Sequence, residues 1–274
     1  MEKLIQFKEY LTNEEKSNAT IEKYIRDVSQ MILWCCGREI TKELAVEYKR
    51  NLMQKYKPSS INSIISSLNC YFIFNERYDL KLKFLKVQRQ VYIREEKELT
   101  KQEYERLLNA AKSKGDERLY LIMQTICSTG IRVSELSRID VNAINKETAI
   151  INNKGKIRRI FLPKALCKML KKYAKKNKID KGSIFITKSG KPLNRSNIWK
   201  MLKKLCDDAC VSKEKVFPHN FRHLFARTFY SLQKDIVRLA DILGHSNIET
   251  TRVYTIETGE IHRKQIQRLG LLRC

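Results

Sequence analysis

The stretch that decides the fold is LGHSNIETTRVYT, residues 243–255. An apolar helical pattern ends just before it, and its glycine is the residue type that most often ends a helix. Ser246 and Glu249 have the spacing of a capping box, which predicts that a new helix begins there. We therefore expect a corner between two helices, with His245 in the corner and Tyr254 about two turns along the second helix. A capping histidine and a half-buried aromatic side chain would explain the pattern equally well.

The charge of the chain points to a polyanionic partner. Among 274 residues, 55 are Lys or Arg and 30 are Asp or Glu, so the formal net charge is +25. Residues 1–90 hold 16 basic and 11 acidic side chains, which leaves 39 and 19, or +20, for residues 91–274. A field of this strength gathers polyanions, and nucleic acid is the leading candidate partner. A solvated basic surface is the plainer alternative, but it accounts less well for so large a charge.

The sequence also excludes several classes of protein. Its apolar runs are short and its first ten residues mix both signs of charge, which predicts no membrane span and no signal peptide. The 8 cysteines lack metal-ligand spacing, so we expect reduced thiols, no metal and a cytoplasmic location, nucleoid-associated in a prokaryote. No GxxxxGK[ST] loop occurs in the sequence, and we expect no nucleotide or other cofactor.

The periodicity of the chain changes near residue 85. The first eighty residues read as helices throughout, and even the serine- and asparagine-rich run PSSINSIISSLNCYFIF has its isoleucines at helical spacing. Residues 86–97 carry many charges without a clear period and predict a linker. Thr100 and Glu103 then form a capping box that begins a second domain at residues 98–274, which includes a C-terminal tail.

One short β region interrupts the helices of the second domain. Apolar residues at 149–151 and 159–162 flank the turn NNKGK, which predicts an antiparallel hairpin with Lys154 at its tip. We therefore expect a mainly α protein with a small antiparallel β-sheet, composed of a helical N-terminal domain and an α+β second domain. Alone, Lys154 would be read as an exposed turn lysine.

Two further clusters place basic side chains next to helix starts. In STGIRVSELSRID, a Thr-Gly pair breaks a helix and Arg132 begins the next, where its side chain and free backbone N–H groups can face an anion. In PHNFRHLFA, His219 and Arg222 are three apart on one helical face. A surface pair of Arg132 with Glu135 and a solvated first turn are the ordinary explanations.

Taken together, these clusters supply arginine, histidine, lysine and tyrosine side chains without acidic metal ligands. Such a set suits metal-independent phosphoryl transfer, because guanidinium groups hold phosphate oxygens and neutralise the charge that grows in the transition state. A phenol is a nucleophile once a base accepts its proton, and it is also a leaving group. The reaction can therefore conserve the energy of the phosphodiester bond in a phosphotyrosine link.

These motifs resemble those of the tyrosine recombinases, also called the phage integrase family. TGIRVSEL is similar to the family's first arginine motif, HNFRH to its His-x-x-Arg motif, NNKGKIRRIFL to its lysine-bearing hairpin and LGHSNIETTRVYT to its tyrosine segment. The four occur in the family's order and span most of residues 95–260. The N-terminal residues 1–85 resemble the family's helical core-binding domain. The resemblance implies the two-domain form, without an additional arm-binding domain.

The resemblance implies a role for each matching residue. Arg132 and Arg222 would clamp the phosphate, Tyr254 would be the nucleophile, and His219 would accept its proton. Tyr230 competes with Tyr254 by residue type, but it lacks the LGH context.

The remaining site residues follow from the same resemblance. His245 would donate a further hydrogen bond to the phosphate, and Lys154 would protonate the leaving 5′ oxygen. Lys156, two residues away, stays open as an alternative acid. Glu135 would orient the arginine region without contacting DNA.

The resemblance further implies double-stranded DNA as the partner, cleaved through a 3′-phosphotyrosyl intermediate. It also implies a homotetramer on two recombination sites and strand exchange through a Holliday junction. The sequence leaves open whether the outcome is integration or excision of a mobile element, inversion or dimer resolution. It also leaves open the need for an accessory DNA-bending or directionality factor. The apolar tail, residues 256–271, would dock on a neighbouring protomer or on its own domain.

Two other functions remain open at the level of sequence. A type IB topoisomerase uses the same chemistry to relax DNA without partner exchange. A non-enzymatic regulator could use STGIRVSELSRI as a helix-turn-helix, although this would leave the histidines and Tyr254 unexplained.

Overall fold

The computed structural model describes four stretches of the chain: residues 2–87, 97–153, 156–254 and 267–269. The side chains of Asn153 and Lys156 are not among the parts described. Helices dominate, and the described residues contain one two-stranded antiparallel sheet. The predicted fold class is therefore confirmed. No helix in the described stretches is long and apolar enough to cross a membrane.

The chain divides into two compact units, residues 1–90 and 91–274. Most of the predicted linker, residues 88–96, lies outside the described residues. The assignment of the first unit to core-site DNA binding, with its predicted boundary at residue 85, stays a prediction.

The first unit consists of four α-helices and a short 3-10 turn. The helices are α1 (Glu2–Asn13), α2 (Asn18–Cys35), α3 (Lys42–Lys55) and α4 (Pro58–Phe74). Their apolar faces meet in one core, in which Phe7, Met31, Ile65 and Phe72 are at most 1% exposed. The serine- and asparagine-rich run is α4, so its prediction as a helix is confirmed.

The polar side of α4 holds the extended chain that follows it. The Asn69 amide donates to the Leu82 carbonyl at 3.0 Å and accepts the Leu82 N–H at 2.8 Å. Asn62 makes the same pair of bonds with Leu85, at 2.9 and 2.8 Å. Because each amide offers one donor and one acceptor, it satisfies the backbone as a neighbouring strand would.

The second unit contains eight described α-helices and the hairpin. The helices are α5 (Lys101–Ser113), α6 (Glu117–Thr129), α7 (Val141–Asn145), α8 (Lys164–Lys176), α9 (Arg195–Leu205), α10 (Pro218–Gln233), α11 (Ile236–Leu243) and α12 (Glu249–Arg252). The capping box of Thr100 with Glu103 is present and begins α5, as predicted. Ile122, Leu170 and Leu202, from α6, α8 and α9, are fully buried in a shared core.

The hairpin consists of β1 (Thr148–Asn153) and β2 (Lys156–Phe161). Asn153 pairs with Lys156 across the sheet, so the predicted hairpin is confirmed. Lys154, predicted at its tip, lies outside the described residues.

The two faces of the hairpin differ in burial. Ile151 and Ile160 are buried, whereas Ile157 and Phe161 are 70% and 76% exposed. Since side chains alternate along a strand, Arg158 shares the inward face with Ile160. This alternation directs an arginine toward the interior of the unit.

The corner after α11 differs from its prediction. The α12 helix is a single turn whose cap position is Ile248, and the Asn247 side chain accepts the Glu249 N–H at 2.8 Å. The predicted helix start at Ser246 is therefore wrong, because the chain needs these residues to turn away from the end of α11. Tyr254 lies two residues beyond the end of α12 and not two turns along it.

Candidate active site

Arg222 is the central side chain of the site. It lies on α10, is 1% exposed, and donates to the carbonyls of Gly130 and, at 2.7 Å, Leu243. These carbonyls stand at the C-terminal ends of α6 and α11, where Gly130 and Gly244 adopt a left-handed conformation with φ of 63°. Helix C-termini carry partial negative charge and free carbonyl groups. The guanidinium group therefore bridges two helix ends.

Arg132 approaches the same corner from the loop after α6. Its Nη2 donates to the Gly244 carbonyl at 3.2 Å, and its Nη1 lies 3.2 Å from Oε1 of Glu135. The Glu135 carboxylate also accepts the Arg132 backbone N–H at 3.0 Å. The prediction that this N–H is free for an anion is therefore wrong. The anticipated pair with Glu135 does form, but the carboxylate is only 6% exposed and is not on the surface.

The sequence predicted that Arg132 begins an α-helix, and this prediction is wrong. Arg132 precedes a six-residue 3-10 helix, Val133–Arg138. This geometry lets the Glu135 side chain fold back onto the start of its own short helix and leaves the guanidinium group extended toward α11.

Arg158 is a third guanidinium group that the sequence reasoning missed. Its Nη2 lies 2.7 Å from Oε2 of Glu135, and its side chain is 14% exposed. A Cβ atom added to Gly244 would collide with it. The signal for Arg158 was present in the alternation of β2, where it shares a face with apolar Ile160 and precedes buried Leu162 by four residues.

The site has an excess of buried positive charge. Three guanidinium groups, Arg132, Arg158 and Arg222, lie around the carboxylate of Glu135. Burial, followed by Arg132, lowers the pKa of Arg222 to about 10, and burial also lowers the pKa of Arg158. Within the described part of the chain, the buried Nε–H groups of Arg158 and Arg222 have no hydrogen-bond partner. A bound oxyanion would offset part of this excess charge.

His245 lies between Arg222 and the short helix α12. Its Nε2 is 3.1 Å from Nη2 of Arg222, and its Nδ1 is 2.8 Å from Oγ1 of Thr251. Burial first, and then the charges of Arg222 and Arg132, lower the pKa of His245 to about 4. The imidazole is therefore neutral at neutral pH.

His219 stands at the open edge of the site. Partial burial, then His223 and Arg222, lower its pKa to about 4. Because His219 is exposed and solvent screens such charges, we expect a smaller depression than at His245.

His223, one turn further along α10, connects His219 to the tyrosine. Its ring meets both rings edge-on, with centroids 4.4 Å from His219 and 5.0 Å from Tyr254. The Glu98 carboxylate lies 3.5 Å from Nδ1 of His223 and 3.0 Å from Arg227. The sequence pattern predicted no role for His223, although it is the second histidine of HNFRH.

Tyr254 is buried at the bottom of this arrangement, with 6% of its surface exposed. Its ring lies nearly parallel to that of His245, at a centroid distance of 6.2 Å. Burial raises the pKa of its phenol, while the charge of Arg222 and a hydrogen bond to it act in the opposite direction. Tyr230 instead packs beneath the ammonium group of Lys234, at 5.3 Å.

The geometry thus brings five of the six predicted residues into one cluster: Arg132, His219, Arg222, His245 and Tyr254. The sixth, Lys154, lies outside the described residues. A buried phenol beside excess guanidinium charge and neutral imidazoles has the parts needed for nucleophilic attack on a phosphodiester.

Comparison with known proteins identifies the family. The sequence profile of the phage integrase family matches residues 97–260, more than half of the chain. The chain belongs to the phage integrase family. The tyrosine recombinase XerA of Pyrococcus furiosus is 30% identical over 283 residues, which cover 99% of this chain and 95% of that protein. The tyrosine recombinase XerD of Halalkalibacterium halodurans is 28% identical and covers 87% of each chain.

Solved structures of tyrosine recombinases have the same fold. A crystal structure of XerA recombinase matches with a TM-score of 0.54 and 26% identity over 99% of both chains. A lambda integrase tetramer bound to a Holliday junction matches with a TM-score of 0.73 and 18% identity, over 92% of this chain and 76% of that one.

Membership in the phage integrase family makes the chain a tyrosine recombinase, an enzyme class that cleaves and rejoins DNA. The topoisomerase and regulator alternatives gain no support from these relatives. The proposed helix-turn-helix is also absent as such, because the segment after α6 is the 3-10 helix Val133–Arg138.

Proposed function

We propose that this tyrosine recombinase acts at specific DNA sites and cleaves one strand of duplex DNA by attack of the Tyr254 hydroxyl. The attack forms a 3′-phosphotyrosyl bond and releases a 5′ hydroxyl. The observation that carries the proposal is a buried phenol next to Arg222, in a site where three guanidinium groups surround the carboxylate of Glu135.

In this proposal, Arg132 and Arg222 hold the two non-bridging oxygens of the scissile phosphate. Their bonds to helix-end carbonyls fix the guanidinium planes before the substrate arrives, so little reorganisation accompanies the growth of charge in the transition state. Arg158 adds positive charge behind them and keeps Glu135 engaged. Loss of one such donor should cost about 10²–10³ in rate.

Proton transfer completes the chemistry. A neutral His219 accepts the Tyr254 proton, because its lowered pKa leaves the imidazole unprotonated at neutral pH. The ring of His223 meets both His219 and Tyr254 edge-on and packs against the phenol. Lys154, proposed from its position in the hairpin motif, gives a proton to the departing 5′ oxygen. The reverse sequence rejoins the strand.

We further propose that four copies assemble on two recombination sites and exchange strands through a Holliday junction, in the cytoplasm. The lambda integrase tetramer on such a junction supports this assembly, since its fold is shared. An accessory DNA-bending or directionality factor and tail exchange between protomers stay open within the proposal.

A nicked duplex tests the nucleophile. When the nick lies just beyond the scissile phosphate, the short 5′ fragment diffuses away and the covalent protein–DNA adduct accumulates. We expect the native chain and Tyr230→Phe to form the adduct and Tyr254→Phe to form none. Loss of the adduct in Tyr230→Phe with retention in Tyr254→Phe would overturn the assignment.

A bridging 5′-phosphorothioate substrate tests the acid, because a thiolate leaves without protonation. We expect Lys154→Met to cleave the oxygen substrate slowly and the sulfur substrate at the native rate, and Lys156→Met to cleave both normally. The reverse pattern would transfer the role to Lys156.

A further inference from the structure

We propose that Thr251 is a positioning residue that accepts the Nδ1–H of His245 and thereby directs Nε2 into the phosphate site. The inference rests on the proposed function, since it concerns how His245 meets the scissile phosphate. The Thr251 hydroxyl bonds to His245. Among the described contacts, it touches neither the ring of Tyr254 nor the arginines.

The position of the proton follows from the two partners of the ring. Nη2 of Arg222 lies 3.1 Å from Nε2, and a guanidinium group can only donate, so Nε2 must accept. The neutral imidazole then carries its proton on Nδ1, which donates to Oγ1 of Thr251 at 2.8 Å. Thr251 is fully buried, so water does not replace this acceptor.

Thr251 also connects His245 to the nucleophile. Its carbonyl accepts the Tyr254 N–H at 2.9 Å, and its own N–H donates to the Ile248 carbonyl at 2.8 Å. One residue therefore holds the imidazole with its side chain and the tyrosine with its backbone. A shift of α12 would move both groups together.

The hydroxyl group suits both protonation states of His245. In the free site Nε2 accepts from Arg222, whereas a phosphate contact requires Nε2 to donate. When a phosphodiester brings negative charge to the site, Nε2 can take a proton from solvent while Nδ1–H stays bonded to Oγ1. The ring thus changes from acceptor to donor without rotating. The charged and titratable groups that face it are Arg222, Arg132, Arg158, His219 and Tyr254.

Nitrogen NMR of the free protein tests the proton position directly. The chain has 4 histidines, so ¹⁵N-histidine labelling gives few signals, and His245→Gln identifies those of His245. We expect a protonated Nδ1 and an unprotonated Nε2 at neutral pH in the native chain. A protonated Nε2 would overturn the proposal without any variant at Thr251.

Three variants separate positioning from packing. Thr251→Val keeps the shape but loses the acceptor, Thr251→Ser keeps the hydroxyl, and Thr250→Val changes an exposed neighbour whose hydroxyl bonds to the Asn247 carbonyl. We expect Thr251→Val to form the covalent adduct about tenfold more slowly and to shift the ¹⁵N signal of Nδ1, because its N–H loses its acceptor. Thr251→Ser and Thr250→Val should keep the native tautomer and rate.

The result that contradicts the proposal is a Thr251→Val chain with the native Nδ1 signal and the native rate. If Thr251→Val does not fold, the native tautomer and the Thr251→Ser rate decide the question. Failure of the proposed function is distinguishable, because an adduct that persists in Tyr254→Phe removes the nucleophile assignment but leaves the NMR result unchanged.

Discussion

Glu135 shows how single residues shape this site. Its carboxylate contacts Arg132 and Arg158 and is nearly buried, so it compensates part of a charge excess that solvent does not screen. The remaining excess is what an oxyanion would neutralise. Glu135 therefore sets both the stability of the free site and the charge offered to the substrate.

Replacing Glu135 by Gln should destabilise the free protein. The change removes the only carboxylate in the described contacts of these guanidinium groups and costs up to about 3–5 kcal/mol. Denaturant unfolding measures the loss, and added sulfate should restore part of it. Glu117→Gln, which changes an exposed partner of Lys176, should cost at most about 1 kcal/mol. Equal losses in the two variants would refute this account of Glu135.

The lowered pKa of His245 predicts a dependence of stability on pH. Its pKa is about 4 in the folded chain against about 6.5 unfolded, so the unfolded chain binds more protons between these values. The free energy of unfolding should therefore fall as the pH drops from 7 toward 4. Melting temperatures between pH 7 and pH 5 measure this, and His245→Gln should reduce the slope. An unchanged slope in that variant would show that other groups cause it.

Sequence reasoning found those site residues that sit in dense local motifs, such as Arg222 in HNFRH. It missed Arg158 and Thr251, because their roles depend on strand alternation and on a contact across a helix corner. It also misjudged the Arg132 N–H, which is occupied by a carboxylate three residues away. Local spacing indicates residue types, while burial and partners arise only from the packed chain.

At the scale of elements, two helix ends form the wall of the site. The C-termini of α6 and α11 present the carbonyls of Gly130, Leu243 and Gly244 to two arginines. A left-handed glycine ends each helix, and in this conformation the last carbonyls are left outside the helical ladder. The arginines thus take the place of water at these ends.

Gly244 should tolerate a methyl group poorly. In Gly244→Ala, the left-handed φ and the collision with Arg158 act together, whereas Gly115→Ala has a similar φ of 68° with no atom within 4 Å. The control isolates the backbone cost of about 1–2 kcal/mol. We expect Gly244→Ala to lose a further 1–3 kcal/mol, roughly, in thermal or denaturant unfolding. Losses of the same size would mean that Arg158 moves aside freely.

The elements differed in how well their sequences predicted them. The hairpin and α4 follow from periodicity and turn residues, since both are decided by local pattern. The start of α12 does not follow from local pattern. Both Ser246 and Asn247 can accept a backbone N–H at a helix start, and the path of the chain after α11 decides between them.

At the scale of the whole molecule, the charge is concentrated in the second unit. Residues 91–274 carry +20 of the formal +25. The helix α8 alone bears six lysines, and all of them are exposed: Lys164, Lys168, Lys171, Lys172, Lys175 and Lys176. This distribution predicts strong electrostatic attraction to DNA before any base is read.

Binding of the full chain to duplex DNA should depend steeply on salt. Displacement of counterions from six to ten phosphates would weaken binding by about 10³–10⁵ between 50 and 200 mM salt. Fluorescence anisotropy with labelled duplexes measures the slope, and a duplex of unrelated sequence should give a similar slope at lower affinity. A nearly flat dependence would contradict the electrostatic interpretation.

The bridge made by Arg222 affects how inactive variants should be understood. Its guanidinium group joins the end of α6 to the end of α11. Arg222 is 92 residues from Gly130 in the sequence and 21 residues from Leu243. A genetic screen for lost recombination would recover Arg222 changes whether the defect lay in chemistry or in assembly of the second unit. Tyr254→Phe removes one oxygen and leaves that joint in place. A screen should therefore score protein abundance beside recombination, and only then assign a residue to the reaction.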